Sequence, residues 1–331
     1  MKPNNRKTVY PILALSFLAL LIASVLSLLF GGAHLSPADA LGGLFGMSSD
    51  TATVIMQGIR LPRMLGAILA GIGLSVSGVL LQSVTDNSLA SPNVIGVNSG
   101  AGVCVILLLA FLPTATPLLP LAAFIGAFLT TLIIIATAGR FGTSKTTVIL
   151  AGIALTSILN AAISLISLID TDVLSAYSYF SVGGLSGLTA DRLLLPAILI
   201  ALSLISALGL SRPLETLKLG DTVATSLGIR VRYLRTAALL CASASAAAAV
   251  SFAGLLGFVG LVVPHVARKL VGGYTRHVLI VASLLGGTLV LLADLLGRTL
   301  LSPTEIPVGI IMALVGAPFF LFLLIRGDRH A

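Results

Sequence analysis

Two arginines one helical turn apart, Arg60 and Arg63 in GIRLPRMLGA (58–67), open a run that is otherwise apolar. A guanidinium stays charged and grips a carboxylate in a fixed fork. Arginines at this spacing can anchor a helix end at a membrane interface, or they can receive acidic side chains of another molecule. A second candidate is Asp294 inside the apolar run 278–301, with Arg298 four residues later. An ionisable group within a membrane span is a functional candidate by default. The i,i+4 spacing puts Asp294 and Arg298 on one helix face, so an ion pair explains the acid more simply than a proton relay, which one acid alone makes poorly. GRFGTSKT (139–146) approaches the phosphate-binding loop G-x-x-x-x-G-K-[ST], but Ser144 stands at the second glycine and an apolar run precedes it instead of a strand, so no nucleotide site is expected. GLSG (184–187) resembles a serine nucleophile loop. Its only basic candidate within an apolar run, His265, belongs at the opposite membrane face from Ser186. Cys104 and Cys241 lie inside apolar runs without metal-type spacing and read as small packing residues.

The elements that carry these residues must cross a bilayer. The 331 residues are 57% hydrophobic and only 9% charged, with a mean hydropathy of +1.13. Long unbroken apolar runs exclude the alternating pattern of a barrel and predict helices of roughly 20 residues. The first, 9–30, follows Lys2, Arg6 and Lys7. It exceeds the roughly 7 to 15 apolar residues of a signal peptide and is expected to be an uncleaved span despite Ala38 and Ala40 downstream. Further spans are predicted at 61–84, 94–112, 118–138, 147–169, 193–210, 234–253, 257–267, 278–301 and 306–325. Ten helices put both termini on one side. With that side cytoplasmic, every Lys and Arg except Arg60, Arg63, Arg192 and Arg298 falls on a cytoplasmic segment. The net charge of +8 is largely this bias and gives no sign of a nucleic-acid partner.

The longest cytoplasmic segment, SRPLETLKLGDTVATSLGIRVRYLR (211–235), predicts two short helices. Pro213 suits the first turn of one at 213–219, closed by Gly220, and Asp221 suits the cap of another at 222–227, closed by Gly228. Helices this short need a partner surface, either the membrane domain itself or a separate motor, because the chain carries no motor of its own.

From Arg60 onward the sequence resembles the FecCD-type permeases, membrane subunits of bacterial ABC importers for ferric siderophores, haem and vitamin B12. The resemblance is carried by RLPR (60–63), GVLLQSVTDNSLASPNVIGVNSGAG (78–102), LAGIALT (150–156), LGDTVATSLGI (219–229), GFVGLVVPHVAR (257–268) and LLADLLGRTLLSPTEIPVGIIMALVGAPFFLFLL (291–324). It implies an all-α polytopic membrane protein of about ten transmembrane helices, like the vitamin B12 importer permease of the type II ABC importers. The whole chain, 1–331, would be one permease domain containing the coupling segment 211–235. It further implies a second permease subunit, two cytoplasmic ABC ATPases holding ATP and Mg, an extracytoplasmic binding protein, and a metal-chelate substrate, with no cofactor bound by this chain. By the same resemblance Arg60, Arg63 and Arg298 match residues that dock the binding protein. Leu219, Gly220, Ala224, Leu227 and Gly228 match the ATPase coupling helices, and Asn87, Leu89, Lys145 and Thr146 match a cytoplasmic gate. The sequence departs from the family pattern with Ser88 for a usual proline, 274–277 for a usual Asp-His-Arg, and Gly297 where alanine is common. A proton-coupled carrier is the alternative class. It would account for the helices but neither for the elbow nor for the outward arginines.

Overall fold

The structure, a computed structural model, describes residues 6–33, 35–93, 95–141 and 145–327, with side chains outside 6–8, 138–141, 145, 323–324 and 326–327. Its helices are α1 (Arg6–Leu29), α2 (Pro37–Leu44), α3 (Asp50–Thr53), α4 (Leu61–Thr85), α5 (Val97–Phe111), α6 (Leu119–Phe141), α7 (Lys145–Ile169), α8 (Thr171–Val182), α9 (Leu194–Leu217), α10 (Asp221–Ser226), α11 (Val231–Ala253), α12 (Val259–Val271), α13 (Thr275–Thr299) and α14 (Val308–Gly327). A π-helical turn, Val54–Arg60, leads directly into α4. No strand occurs among the described residues.

All ten predicted runs are helical, and seven helical stretches are long and apolar enough to span a bilayer. The cores of α5 and α14 are shorter, and α12, at 13 residues, rises only about 20 Å, less than the roughly 30 Å of hydrocarbon. The unwound backbone that completes such a crossing must be covered by protein. After α11 it is: Gly184 N–H donates to the Ala253 carbonyl at 2.9 Å and Leu255 N–H to the Phe180 carbonyl at 3.3 Å, so α8 covers the break.

Between apolar helices in lipid there is little hydrophobic driving force, and association rests on close packing and interhelical hydrogen bonds. The small residues meet this need. α4 is the central post, packed on α11 and α13. A Cβ at Gly71 would run into the Gly286 carbonyl of α13, and one at Gly78 into the Gly260 carbonyl of α12. Ser245 of α11 donates from Oγ to the Gly73 carbonyl at 2.9 Å, and the alanines of 246–249 are buried against it. The contrast with the rim is large. Of the most apolar window in the stretch that includes α4, 78% is buried, whereas for α7 the figure is 6%, and α7 is covered chiefly along the face that meets α5, α6 and α8.

Two local expectations are corrected. Residues 213–219 do not form a separate helix, because α9 runs through Pro213 to Leu217. The proline leaves the Gly209 carbonyl without its intrahelical donor, but Ser211, Leu214 and Leu217 are buried on one face, holding the helix together across the break. Asp221 is not the cap of the following helix. Gly220, at φ 102°, occupies that position without a side-chain bond, and the Asp221 carboxylate is used elsewhere. The segments 31–59 and 170–192, for which no element was assigned from sequence, contain α2, α3 and α8. Ser36 Oγ accepts from Asp39 N–H at 3.1 Å at the start of α2, and Asp170 Oδ1 accepts from Asp172 N–H at 2.9 Å at the start of α8.

Candidate functional site

The C-terminal ends of α1 and α13 and the N-terminal end of α4 meet at the face predicted to be extracytoplasmic, and Arg60, Arg63 and Arg298 converge there. Charge counting singled the three out as outward exceptions. The structure turns their side chains inward. A helix leaves its last four carbonyls without partners, and at α1 a guanidinium supplies the donors: Arg60 Nη1 donates to the Leu28 carbonyl at 2.6 Å and to the Leu29 carbonyl at 2.9 Å, and Nη2 to the Ala33 carbonyl at 2.6 Å. A cation at this end also opposes the partial negative charge of the helix C-terminus. Arg298 reaches α1 as well, donating from Nη2 to Ser27 Oγ at 2.6 Å and to the Ser27 carbonyl at 2.7 Å. Gly31 lets the chain pass close over both guanidiniums, since a Cβ there would lie 3.1 Å from Arg298 Nη1 and 3.3 Å from Arg60 Nε.

Arg63 stands between two acids. Its Nε donates to Asp294 at 2.9 and 3.1 Å, and its Nη1 to Glu305 at 2.8 and 3.1 Å. The expected Asp294–Arg298 pair is present at 3.5 Å, but the hydrogen bonds of Asp294 come from Arg63, on another helix. Asp294 is therefore the joint between α4 and α13, fully enclosed and balanced by two cations. Glu305 is the member sequence reasoning missed. Its loop is drawn onto α13 by a 2.8 Å bond from Ile306 N–H to the Gly297 carbonyl, where a Cβ on Gly297 would press on the Ile306 carbonyl. The glycine noted as a departure at 297 thus permits the close approach that brings Glu305 to Arg63. Arg192, the fourth outward exception, is exposed beside a cavity of about 240 Å³ that Ser186 also lines. His265 sits on α12, away from it.

At the opposite end, Gly220 (φ 102°) and Gly228 (φ 83°) bracket α10 in backbone conformations that favour glycine. Leu219 and Leu227, about 64% and 63% exposed, point away from the chain, while Ala224 is buried against it. The elbow is fixed from below. Arg235, on α11, grips Asp221 with a two-point fork at 2.7 and 2.8 Å. Glu215 Oε1 accepts from Lys218 Nζ at 2.7 Å and from Thr275 N–H at 2.6 Å, satisfying an orphan donor at the start of α13. Of the expected gate residues, Asn87 closes its turn by accepting Leu89 N–H at 2.9 Å, with Leu89 exposed. Thr146 is exposed, whereas residues 142–144 of GRFGTSKT and the side chains of 139–141 and Lys145 lie outside the described residues. No cluster of His, Cys, Asp or Glu suited to a metal ion occurs among the described residues.

With this arrangement in view, comparison with known proteins is informative. Residues 19–326 match the FecCD transport family, and the chain belongs to that family. It is 35% identical to the Fe(3+)-citrate import system permease protein YfmE of Bacillus subtilis over 98% of both chains. It is 39% identical to the achromobactin transport system permease protein CbrC of Dickeya dadantii, over 96% of this chain and 91% of that one. It is also 39% identical to the hemin transport system permease protein HmuU of Yersinia pestis, over 84% of this chain and 85% of that one. Among solved structures, a metal-chelate type ABC transporter in an inward-facing conformation superposes with a TM-score of 0.87 and 31% identity, covering 96% of this chain and 99% of that one. The chain is a multi-pass membrane protein and a permease subunit of an ABC importer. It works with an ATPase and a substrate-binding protein, and the hydrolysis of ATP falls to the separate ATPase subunit.

Proposed function

We propose that this permease carries a ferric siderophore or a related iron chelate across the bacterial plasma membrane, with both termini cytoplasmic. The observation behind the cargo is the set of full-length relatives whose names specify Fe(3+)-citrate and achromobactin systems. Haem is the second reading, favoured by the similarity to a hemin permease. The working unit would be two permeases, identical or paralogous, with two ATPases below and one binding protein above. ATP and Mg would sit on the ATPases and no cofactor on this chain. The sparsely covered α7 supports the presence of a second permease, because the uncovered side of an apolar helix offers a surface for another membrane helix.

In this reading the binding protein docks on the outer cluster of Arg60, Arg63 and Arg298. The ATPases hold the elbow through Leu219 and Leu227, with Gly220, Ala224 and Gly228 setting its shape. Nucleotide-driven closure of the ATPases moves α10. The Arg235–Asp221 fork passes that motion to α11, and the Glu215–Thr275 bond passes it to α13. The helices tilt, the gate at Asn87, Leu89, Lys145 and Thr146 opens, and the chelate enters. The deciding experiment is uptake of iron-labelled ferric citrate, other ferric siderophores, haem and labelled cobalamin in cells with and without the gene. Loss of vanadate-sensitive uptake of one ferric chelate on deletion of the gene, restored by the wild-type gene, is expected. Unchanged uptake of every iron chelate in a strain lacking redundant importers overturns the iron assignment.

A further inference from the structure

Three guanidiniums and two carboxylates meet at the outer cluster, and four of the five groups are enclosed. Arg60 and Arg298 are occupied with α1, and Asp294 with Arg63 and Arg298. None of these can change partner without opening the joint of α1, α4 and α13. Glu305 can. Its side chain is 38% exposed, against 1% for Asp294, and it reaches Arg63 from a loop instead of a helix. Both of its oxygens face a single nitrogen, Nη1. Nη2 of Arg63 has no hydrogen-bond partner among the described residues, so the Nη1/Nη2 fork, a geometry that suits a carboxylate, is only half used.

We infer that Glu305 is an internal stand-in for a carboxylate of the binding protein, and that docking is an exchange in which the incoming acid takes the outer fork of Arg63 and Glu305 is released. The inference rests on the docking role proposed above for the cluster. Exchange keeps the balance at three cations and two anions, so Arg63 is never left without an outer carboxylate, a loss that would be costly. It also assigns the three arginines different tasks. Arg60 and Arg298 hold the helix ends, and Arg63 presents the exchangeable fork. Freed from Arg63, the loop at 300–307 stays tethered through Ile306 and Gly297, so the release is felt where α13 joins α14.

The test uses the permease with its ATPases in lipid nanodiscs, titrated with the ferric-chelate binding protein of the same organism that the wild-type complex binds most tightly. Glu305→Gln removes the competitor and is expected to tighten binding about two- to fivefold, the range set by a partly exposed ion pair. Glu305→Asp, a shorter acid that reaches Arg63 less well, should fall between Glu305→Gln and wild type, and it carries the test if the glutamine variant fails to fold. Arg63→Gln should weaken binding at least tenfold. Weakened binding in Arg63→Gln together with unchanged or weaker binding in both Glu305 variants overturns the exchange and leaves docking standing. Unchanged binding in Arg63→Gln overturns the docking role of Arg63, and the exchange with it.

Discussion

In the proposed orientation, the two ends of this permease carry opposite surfaces for their proposed partners. At the outer end the polar groups are nearly saturated inside the chain: three arginines are enclosed and engaged with carboxylates, a hydroxyl and backbone carbonyls. At the end proposed to be cytoplasmic the Arg235–Asp221 fork braces the elbow, and Leu219 and Leu227 project uncovered from α10 and its entry among exposed polar side chains. A partner at the outer end must therefore compete with contacts already made, while a partner at the elbow gains contacts that the chain lacks. The first arrangement suits a binding protein that docks and leaves, and the second suits a motor that stays attached.

The comparison is broken most sharply by neutralising the central outer acid. Asp294→Asn keeps the shape but leaves Arg63 and Arg298 without their shared buried anion. Breaking a buried pair from one side costs on the order of 3–5 kcal/mol. Thermal unfolding of the purified protein in detergent should show a large loss of melting temperature, and membrane abundance should fall. A melting temperature within a degree or two of wild type would mean that the cluster is a surface feature instead of a joint. At the elbow the opposite pattern is expected. Leu219→Asp with Leu227→Asp removes two apolar anchors, each representing about 1.5–3 kcal/mol when fully covered by a partner. Because both side chains project from the chain, melting temperature and abundance should barely change, while co-purification of the ATPase and uptake are lost. A fall in the stability of the permease alone would show that the leucines pack on their own domain.

Much of this contrast is legible in the sequence, in an uneven way. Arg60, Arg63 and Arg298 stand out because basic residues at the outer face break the charge bias, and the i,i+4 spacing gives the Asp294–Arg298 pair. What Arg60 holds is not legible, because its partners are the backbone carbonyls of Leu28, Leu29 and Ala33, which carry no residue-type signal. The Arg63–Asp294 joint links residues 231 positions apart and depends on how α4 crosses α13, a crossing that the Gly71–Gly286 approach fixes. Glu305 had a weak signal, an acid just beyond an outward arginine, but its reach depends on the missing Cβ at Gly297. At the elbow, glycine chemistry places α10 to within a residue. Proline chemistry misleads at Pro213, where burial of Leu214 and Leu217 outweighs a single lost backbone bond. The π-turn at Val54–Arg60 is not announced by local propensity, whereas the break at 254–258 falls between two predicted spans, where Gly254 takes a positive φ.

The smallest expected effect comes from making at the elbow the change that is most damaging at the outer end. Asp221 is 49% exposed where Asp294 is 1% exposed, and its Arg235 fork is open to water on one side. An ion pair of this kind contributes about 0.2–1 kcal/mol, so Asp221→Asn should shift the melting temperature only slightly. Its consequence lies in transmission. The fork is the direct polar link between α10 and α11, and asparagine cannot grip a guanidinium with two carboxylate oxygens. In proteoliposomes containing the whole importer, the ATPase should still bind and hydrolyse, while substrate moved per ATP hydrolysed falls severalfold. If hydrolysis and transport fall together, the fork holds the ATPase in place. If neither falls, motion reaches the membrane through Glu215 and the start of α13 alone, and Glu215→Gln becomes the substitution that separates hydrolysis from transport.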